Sequence, residues 1–258
     1  MAKKFDEKVF FVNDHHITQM SSIKPKEIEW LLFPYIPMGE VTVIEGEPNT
    51  GKTTLALQIV ATATYGKPVF PTHPELSKIK DPLCVIFQNS DDGLEDVILP
   101  RLITAGADLS KISFLDENKN SLFIDDYYLD DILEKTQAKI LVFDPIQAYI
   151  KKDVDINNAK EMQPLITKLS ALAKKHNCAV ILIGRFGKSY NEKDTCKSLG
   201  CLDLDHNIRS VLRVEKNDSE YRTFKQVKNS LAACGSTQIF TISDDGLLWH
   251  DIKEFCLS

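Results

Sequence analysis

The chain has 258 residues, 43% of them hydrophobic and 26% charged, proportions that exclude a disordered or fibrous protein. Lys and Arg number 31 against 37 Asp and Glu, a formal net charge of −6, which excludes a uniformly basic nucleic-acid mat but not a local basic surface. No apolar run approaches the roughly 18 residues of a membrane span, and the N-terminus Met-Ala-Lys-Lys-Phe-Asp-Glu-Lys lacks the apolar stretch of a secretory signal, so the expected compartment is the cytoplasm.

Prolines at 25, 34 and 37 break up any long helix in the first 38 residues. Residues 40–45 are a β-branched run that predicts a strand, followed by a glycine-bounded loop. A helix then follows from Thr54, with Leu55, Ile59 and Val60 on one face. Gly66 and Pro68 end it. A second strand is predicted over 83–87. A helix starts from Asp91 or Asp92 and runs to Ala105, with Gly106 as its cap. A short strand over 112–115 and a helix over 128–137 come next. Residues 139–144 read as a buried strand ending in an acid. Met162, Leu165, Ile166, Leu169, Leu172 and Ala173 mark an amphipathic helix, with Pro164 either in its first turn or kinking it. Residues 178–183 form another buried strand. Cys84 and Cys178 lie inside such apolar runs and read as small hydrophobes, while no CxxC pair suggests zinc. Beyond Gly200, strands over 208–214, 221–228 and 237–242 precede a tight turn at Asp244-Asp245-Gly246 and a last strand over 247–249. Alternating strands and helices followed by hairpins predict an α/β fold, its parallel core sheet extended by C-terminal antiparallel strands.

Gly46-Glu47-Pro48-Asn49-Thr50-Gly51-Lys52-Thr53 fits the phosphate-loop pattern GxxxxGK[ST], between a predicted strand and a predicted helix as the mechanism requires. The glycines let the backbone wrap so that successive N–H groups face phosphate oxygens. The helix N-terminus adds a favourable dipole, Lys52 a mobile positive charge, and Thr53 a hydroxyl for magnesium. These eight residues and Thr54 are the expected nucleotide-binding set. A plain glycine-rich turn before a helix is the bland alternative. Asp144, ending a strand of four apolar residues, is the expected partner of Thr53 in holding magnesium, although many strands end in a turn-forming Asp. Asp91 and Asp92 follow the second strand, where ligands bind in parallel α/β folds. One of them can orient an attacking water, or one is simply a helix N-cap.

With these residues in hand, the chain resembles the RecA-like P-loop ATPases, in particular the branch around the plasmid replicative helicase RepA, a group of AAA family ATPases. The likeness runs from about Ile36 to Trp249. It is carried by Ile-Pro-Met-Gly-Glu-Val-Thr-Val-Ile-Glu-Gly at 36–46, Pro-Arg-Leu-Ile-Thr-Ala-Gly-Ala-Asp at 100–108 and Val-Phe-Asp-Pro-Ile at 142–146. Arg209-Ser210-Val211-Leu212 and Val227-Lys228-Asn229 complete it. The resemblance divides the chain into an N-terminal extension, 1–35, and a RecA-like ATPase domain, 36–258. It implies ATP and Mg2+ as cofactors and a homo-oligomer, a ring or filament with six subunits as one option. The site would then lie between subunits, with Lys228 or Arg209 reaching a neighbour's nucleotide. Either is equally a solvated strand charge. The implied catalytic set is therefore Lys52, Asp91, Lys228 and Arg209. Two departures stand out. Ser90 occupies the place where relatives carry a Glu base, leaving Asp91 as its substitute, and Arg185 stands where relatives carry a His that senses the γ-phosphate.

The leading expectation is an oligomeric Mg-ATP-dependent motor or remodelling ATPase acting on DNA. Lys151-Lys152-Asp153 and the basic, aromatic stretch from Arg185 to Lys197 are candidate contacts to single-stranded DNA, with Phe186 and Tyr190 as stacking platforms. A nucleotide-dependent regulatory or assembly protein with weak or absent hydrolysis is the alternative, motivated by Ser90 and Arg185. A small-molecule kinase ranks last, because hairpins stand where such kinases carry an arginine-rich lid.

Overall fold

The computed structural model describes residues 9–12, 15–71, 73–77, 81–116, 121–184, 206–217 and 220–251. In chain order the strands are β1 (Val9–Val12), β2 (His15–Thr18), β3 (Trp30–Leu32), β4 (Ile36–Pro37) and β5 (Val41–Glu45). They continue as β6 (Val85–Asn89), β7 (Ile112–Ser113), β8 (Ile140–Asp144), β9 (Ala179–Gly184), β10 (Ile208–Lys216), β11 (Arg222–Asn229), β12 (Gln238–Ser243) and β13 (Gly246–His250). The helices are α1 (Lys52–Thr64), α2 (Leu99–Thr104), α3 (Tyr128–Thr136) and α4 (Ala159–His176).

Nine strands form one sheet in the order β13-β12-β11-β10-β5-β9-β8-β6-β7. From β10 to β7 every neighbouring pair is parallel, and β10 to β13 pair antiparallel. The reason is compositional. All five residues of β5, β6 and β8 and all six of β9 are buried, and strands covered on both faces are the ones that tolerate a parallel arrangement. Alternate side chains feed two cores. Ile44, Val142, Ile181 and Leu212 pack with Leu55, Ile59 and Val60 of α1. Val43, Phe143, Leu182 and Val211 pack with Leu133 of α3 and Leu165, Ile166 and Leu169 of α4.

One expectation about helices is corrected, and one of the two places left open for Pro164 is ruled out. The helix predicted from Asp91 or Asp92 begins only after Gly93, as a π-helical turn over Leu94–Ile98 that runs into α2. Asn89 Oδ1 accepts the Asp92 N–H at 2.7 Å, and this local turn holds the chain out of helical geometry until Gly93, which is extended at ψ 138°. Neither Asp91 nor Asp92 is a helix cap. Pro164 is not in the first turn of α4, because the helix starts at Ala159, capped by the Asn158 side chain on the Lys160 N–H. It sits on the exposed face, where its missing N–H leaves the core contacts intact.

The segment before β5 is tied to the C-terminal hairpins. The buried Tyr35 hydroxyl donates to the Ser236 carbonyl at 2.6 Å, and its own carbonyl accepts the Ser210 hydroxyl at 2.6 Å. Among the described residues no helix is long and apolar enough to cross a membrane. Cys178 is buried, which pushes its thiol up to about 12, so it packs as a hydrophobe.

Candidate nucleotide and metal site

The parallel core brings the carboxyl ends of β5, β8 and β6 to one edge of the sheet, with β9 between β5 and β8, and the site is built there. β5 delivers the chain into the loop of residues 46–53, and α1 begins at Lys52. Gly51 has φ +93°, a left-handed conformation that favours glycine. At Gly46 a side chain would overlap the Val214 carbonyl. The last residue before the loop, Glu45, is fully buried and accepts Arg213 Nε and Nη2 at 2.8 and 2.7 Å from the neighbouring β10. That ion pair fixes the strand end from which the loop departs. The Lys52 ammonium curls over the loop, donating to the carbonyls of Gly46 at 3.0 Å and Glu47 at 2.8 Å.

Thr53 and Asp144, 91 positions apart, meet directly. The Thr53 hydroxyl donates to Asp144 Oδ2 at 2.6 Å. The same oxygen accepts Asn89 Nδ2 at 3.2 Å, as the register of β6 and β8 pairs Asn89 with Asp144. Burial pushes the Asp144 carboxyl up to about 6, against the Thr53 hydrogen bond, the Lys52 charge and the Asn89 amide, while the Asp91 charge pushes the same way as burial. Ser90 is exposed at the strand end, its N–H donating to the Asp144 carbonyl at 3.1 Å. Asp92 faces away to Arg101, 3.3 Å from Nη1.

A cavity of about 330 Å³ adjoins the loop. Thr54 and Gln58 of α1, Arg101 of α2, and Ile242 and Asp244 of the β12–β13 hairpin line it. Beside it Arg222, the first residue of β11, lies against Gly51, and its Nε is buried without a hydrogen-bond partner among the described residues.

The structure thus gathers Lys52, Thr53, Asp144 and Asp91 at one place. Lys228 and Arg209 lie elsewhere. Lys228 pairs with Val211, which pairs with Val43, and Ile208 pairs with Val41, so Lys228 stands level with the middle of β5 and Arg209 near its start, away from the strand end that carries the loop. There Arg209 Nε approaches Glu40 at 3.9 Å. Burial raises the Glu40 carboxyl, against the pull of Lys174 and Arg209. The stretch from Arg185 to Lys197 lies outside the described residues. Lys151 does not project freely, because its ammonium is bound to Asp125 at 2.8 Å. The sequence reading missed Asn89, Arg101, Arg222 and the Glu45–Arg213 pair. Only strand register could have exposed Asn89 and Arg213.

The AAA domain family matches residues 13–191. The DNA repair and recombination protein RadB of Methanosphaera stadtmanae is 26% identical over 231 residues, covering 86% of this chain and 92% of the relative. The DNA repair protein RadA of Escherichia coli K12 is 24% identical over 224 residues, covering 86% of this chain and 43% of RadA. The chain therefore spans less than half the length of the RadA proteins it matches. Among solved structures, the KaiC-like protein PH0186 of Pyrococcus horikoshii OT3 aligns with a TM-score of 0.57 at 19% identity, covering 86% of this chain and 94% of that one. The likeness shows a shared RecA-like fold. None of these findings singles out the plasmid helicase branch.

Proposed function

The chain belongs to the AAA domain family as a RecA-like P-loop ATPase, and on that premise we propose that it binds Mg-ATP at residues 46–54 and acts as an oligomeric, DNA-associated ATPase in repair or recombination. One observation carries the nucleotide part: the contact between Thr53 Oγ1 and Asp144 Oδ2 at 2.6 Å. A hydroxyl and a carboxylate are hard oxygen donors, the kind that magnesium takes from a protein when phosphates and water complete its shell. Bound there, the ion would supply positive charge against the phosphate oxygens. The chain's own residues do the rest. Loop N–H groups and Lys52 hold the phosphates, and Gly46 and Gly51 keep the backbone close enough to do so. The cavity beside Thr54 takes the nucleoside, with Arg101 offering a flat cation to the base.

The repair role rests on what the RadA and RadB relatives are named for. The oligomer rests on Lys228 and Arg209, basic residues that stand apart from their own loop along β11 and β10 and are assigned to complete a neighbour's site. Asp91 is the carboxylate whose charge reaches Asp144, and it is assigned to orient the attacking water. A second reading keeps its place because the exposed Ser90 cannot act as a base. In that reading the chain is a nucleotide-dependent regulatory or assembly protein.

Steady-state turnover at saturating Mg-ATP, with and without single-stranded DNA, separates the two. The motor reading expects DNA-stimulated turnover that Asp91→Ala removes. If Asp91 does not stand in for the base, Ser90→Glu should instead raise a slow rate and Asp91→Ala should change little, since a missing water-positioning group costs roughly 10²- to 10⁴-fold. Firm binding with no turnover under either condition selects the regulatory reading. Turnover that neither substitution alters contradicts the assignment of this turn.

A further inference from the structure

The cavity and the metal pair lie on either side of the turn after β6, and an unbroken run of direct contacts joins them. Arg101 lines the cavity. Its Nη1 is 3.3 Å from Asp92 Oδ2. The Asp92 N–H donates to Asn89 Oδ1 at 2.7 Å, and Asn89 Nδ2 donates to Asp144 Oδ2 at 3.2 Å. That oxygen is the one bound by Thr53. The Asn89 amide cannot be turned around without breaking both contacts, since its oxygen faces an N–H and its nitrogen faces a carboxylate. At 6% exposure it is also shielded from competing water.

We propose that Asn89 is a positioning residue that couples the base cavity to the metal pair, so that a base resting on Arg101 strengthens magnesium binding at Thr53 and Asp144. The proposal rests on the Mg-nucleotide reading and adds a regulation within that site. Its physical basis is shared ordering. A base stacked on the guanidinium fixes Arg101, and Arg101 fixes Asp92. With Asp92 held, the N–H that anchors the Asn89 oxygen moves less, and the amide nitrogen keeps its contact with the carboxylate for more of the time. Order imposed at one end lowers the entropy lost at the other, and the effect is reciprocal, so magnesium equally tightens the grip on the base. The weakest link sets the size. Arg101 and Asp92 are both partly exposed, so the coupling is modest.

The test uses two ligands that are not hydrolysed and differ by adenosine: ADP and inorganic pyrophosphate. Calorimetry gives the factor by which magnesium raises the affinity of each. The quantity read is the ratio of the two factors, compared between wild type and variant. Chelation of magnesium in solution cancels in that comparison, and a general loosening of the fold lowers all terms together. Asn89→Ala and Asp92→Asn are each expected to reduce the ratio about fivefold. Asp92→Asn, a change at a partly exposed turn residue, stands in if the alanine variant fails to fold. A ratio unchanged in these variants, with wild type binding both ligands, overturns the coupling alone. Wild type that binds neither ligand overturns the nucleotide reading and the coupling with it.

Discussion

Asp144 ends a strand covered on both faces and is 5% exposed, yet its position next to Thr53 asks it to carry a charge. Burial raises its carboxyl from an ordinary 3.8 to about 6. The folded protein therefore holds this proton more tightly than the unfolded chain, and stability falls as pH rises from about 4 through about 6. Above that the full cost of a buried charge is in place. Without metal at pH 7, Asp144→Asn should be more stable than wild type by on the order of 2–3 kcal/mol, and the gap should close below pH 4. Thermal melts in a chelator read this directly. A variant less stable than wild type at pH 7 would contradict the raised carboxyl. Residues of this kind were legible in proportion to how local their signal is. Lys52 and Thr53 sit in one eight-residue pattern, and Asp144 ends an apolar run. Asn89 has no such mark, because its role comes from lying opposite Asp144 across a strand pair, 55 positions away. Arg222 is likewise one basic residue among many until β11 brings it against Gly51.

The strands of the core were the most legible elements, since β5, β8 and β9 are unbroken apolar or β-branched runs whose only comfortable place is a sheet with both faces covered. Helix starts were less so. The turn of residues 90–93 carries two acids that look like caps, but the side chain that closes it is Asn89, two residues before the earlier of the predicted starts. Pattern reading counts what a residue can do for the helix ahead of it and misses what its neighbour already does to the turn. α4 shows the reverse case. Its apolar stripe was legible from Met162 onward, but the polar turn before it, capped by Asn158, carries no stripe and went unassigned, so Pro164 seemed nearer the start than it is. Both errors lie at boundaries. The elements themselves stand.

At the scale of the molecule, the order of the sheet is what no local pattern contains. β5 lies between β9 and β10, far from its neighbours in sequence, and that crossover is what sets the loop beside the ends of β8 and β6. The same topology sets Lys228 level with the middle of β5 and Arg209 near its start. On the proposed reading they complete the site of a second copy of the chain. The oligomeric reading predicts that Lys52→Ala and Lys228→Ala proteins, each inactive alone, regain part of the activity when mixed, because one chain supplies the loop and the other Lys228. A mixture no more active than its parts, or a monomer at high concentration with ATP, contradicts it. Beneath every such question lies the claim that residues 46–54 with Asp144 hold Mg-ATP. Calorimetric titration of wild type and Lys52→Ala with ATP, at zero and saturating magnesium, tests it most directly. Wild-type binding should depend on magnesium, and Lys52→Ala should weaken it on the order of 10²-fold. Equal affinity in the two proteins, or no effect of magnesium on wild type, would contradict the account.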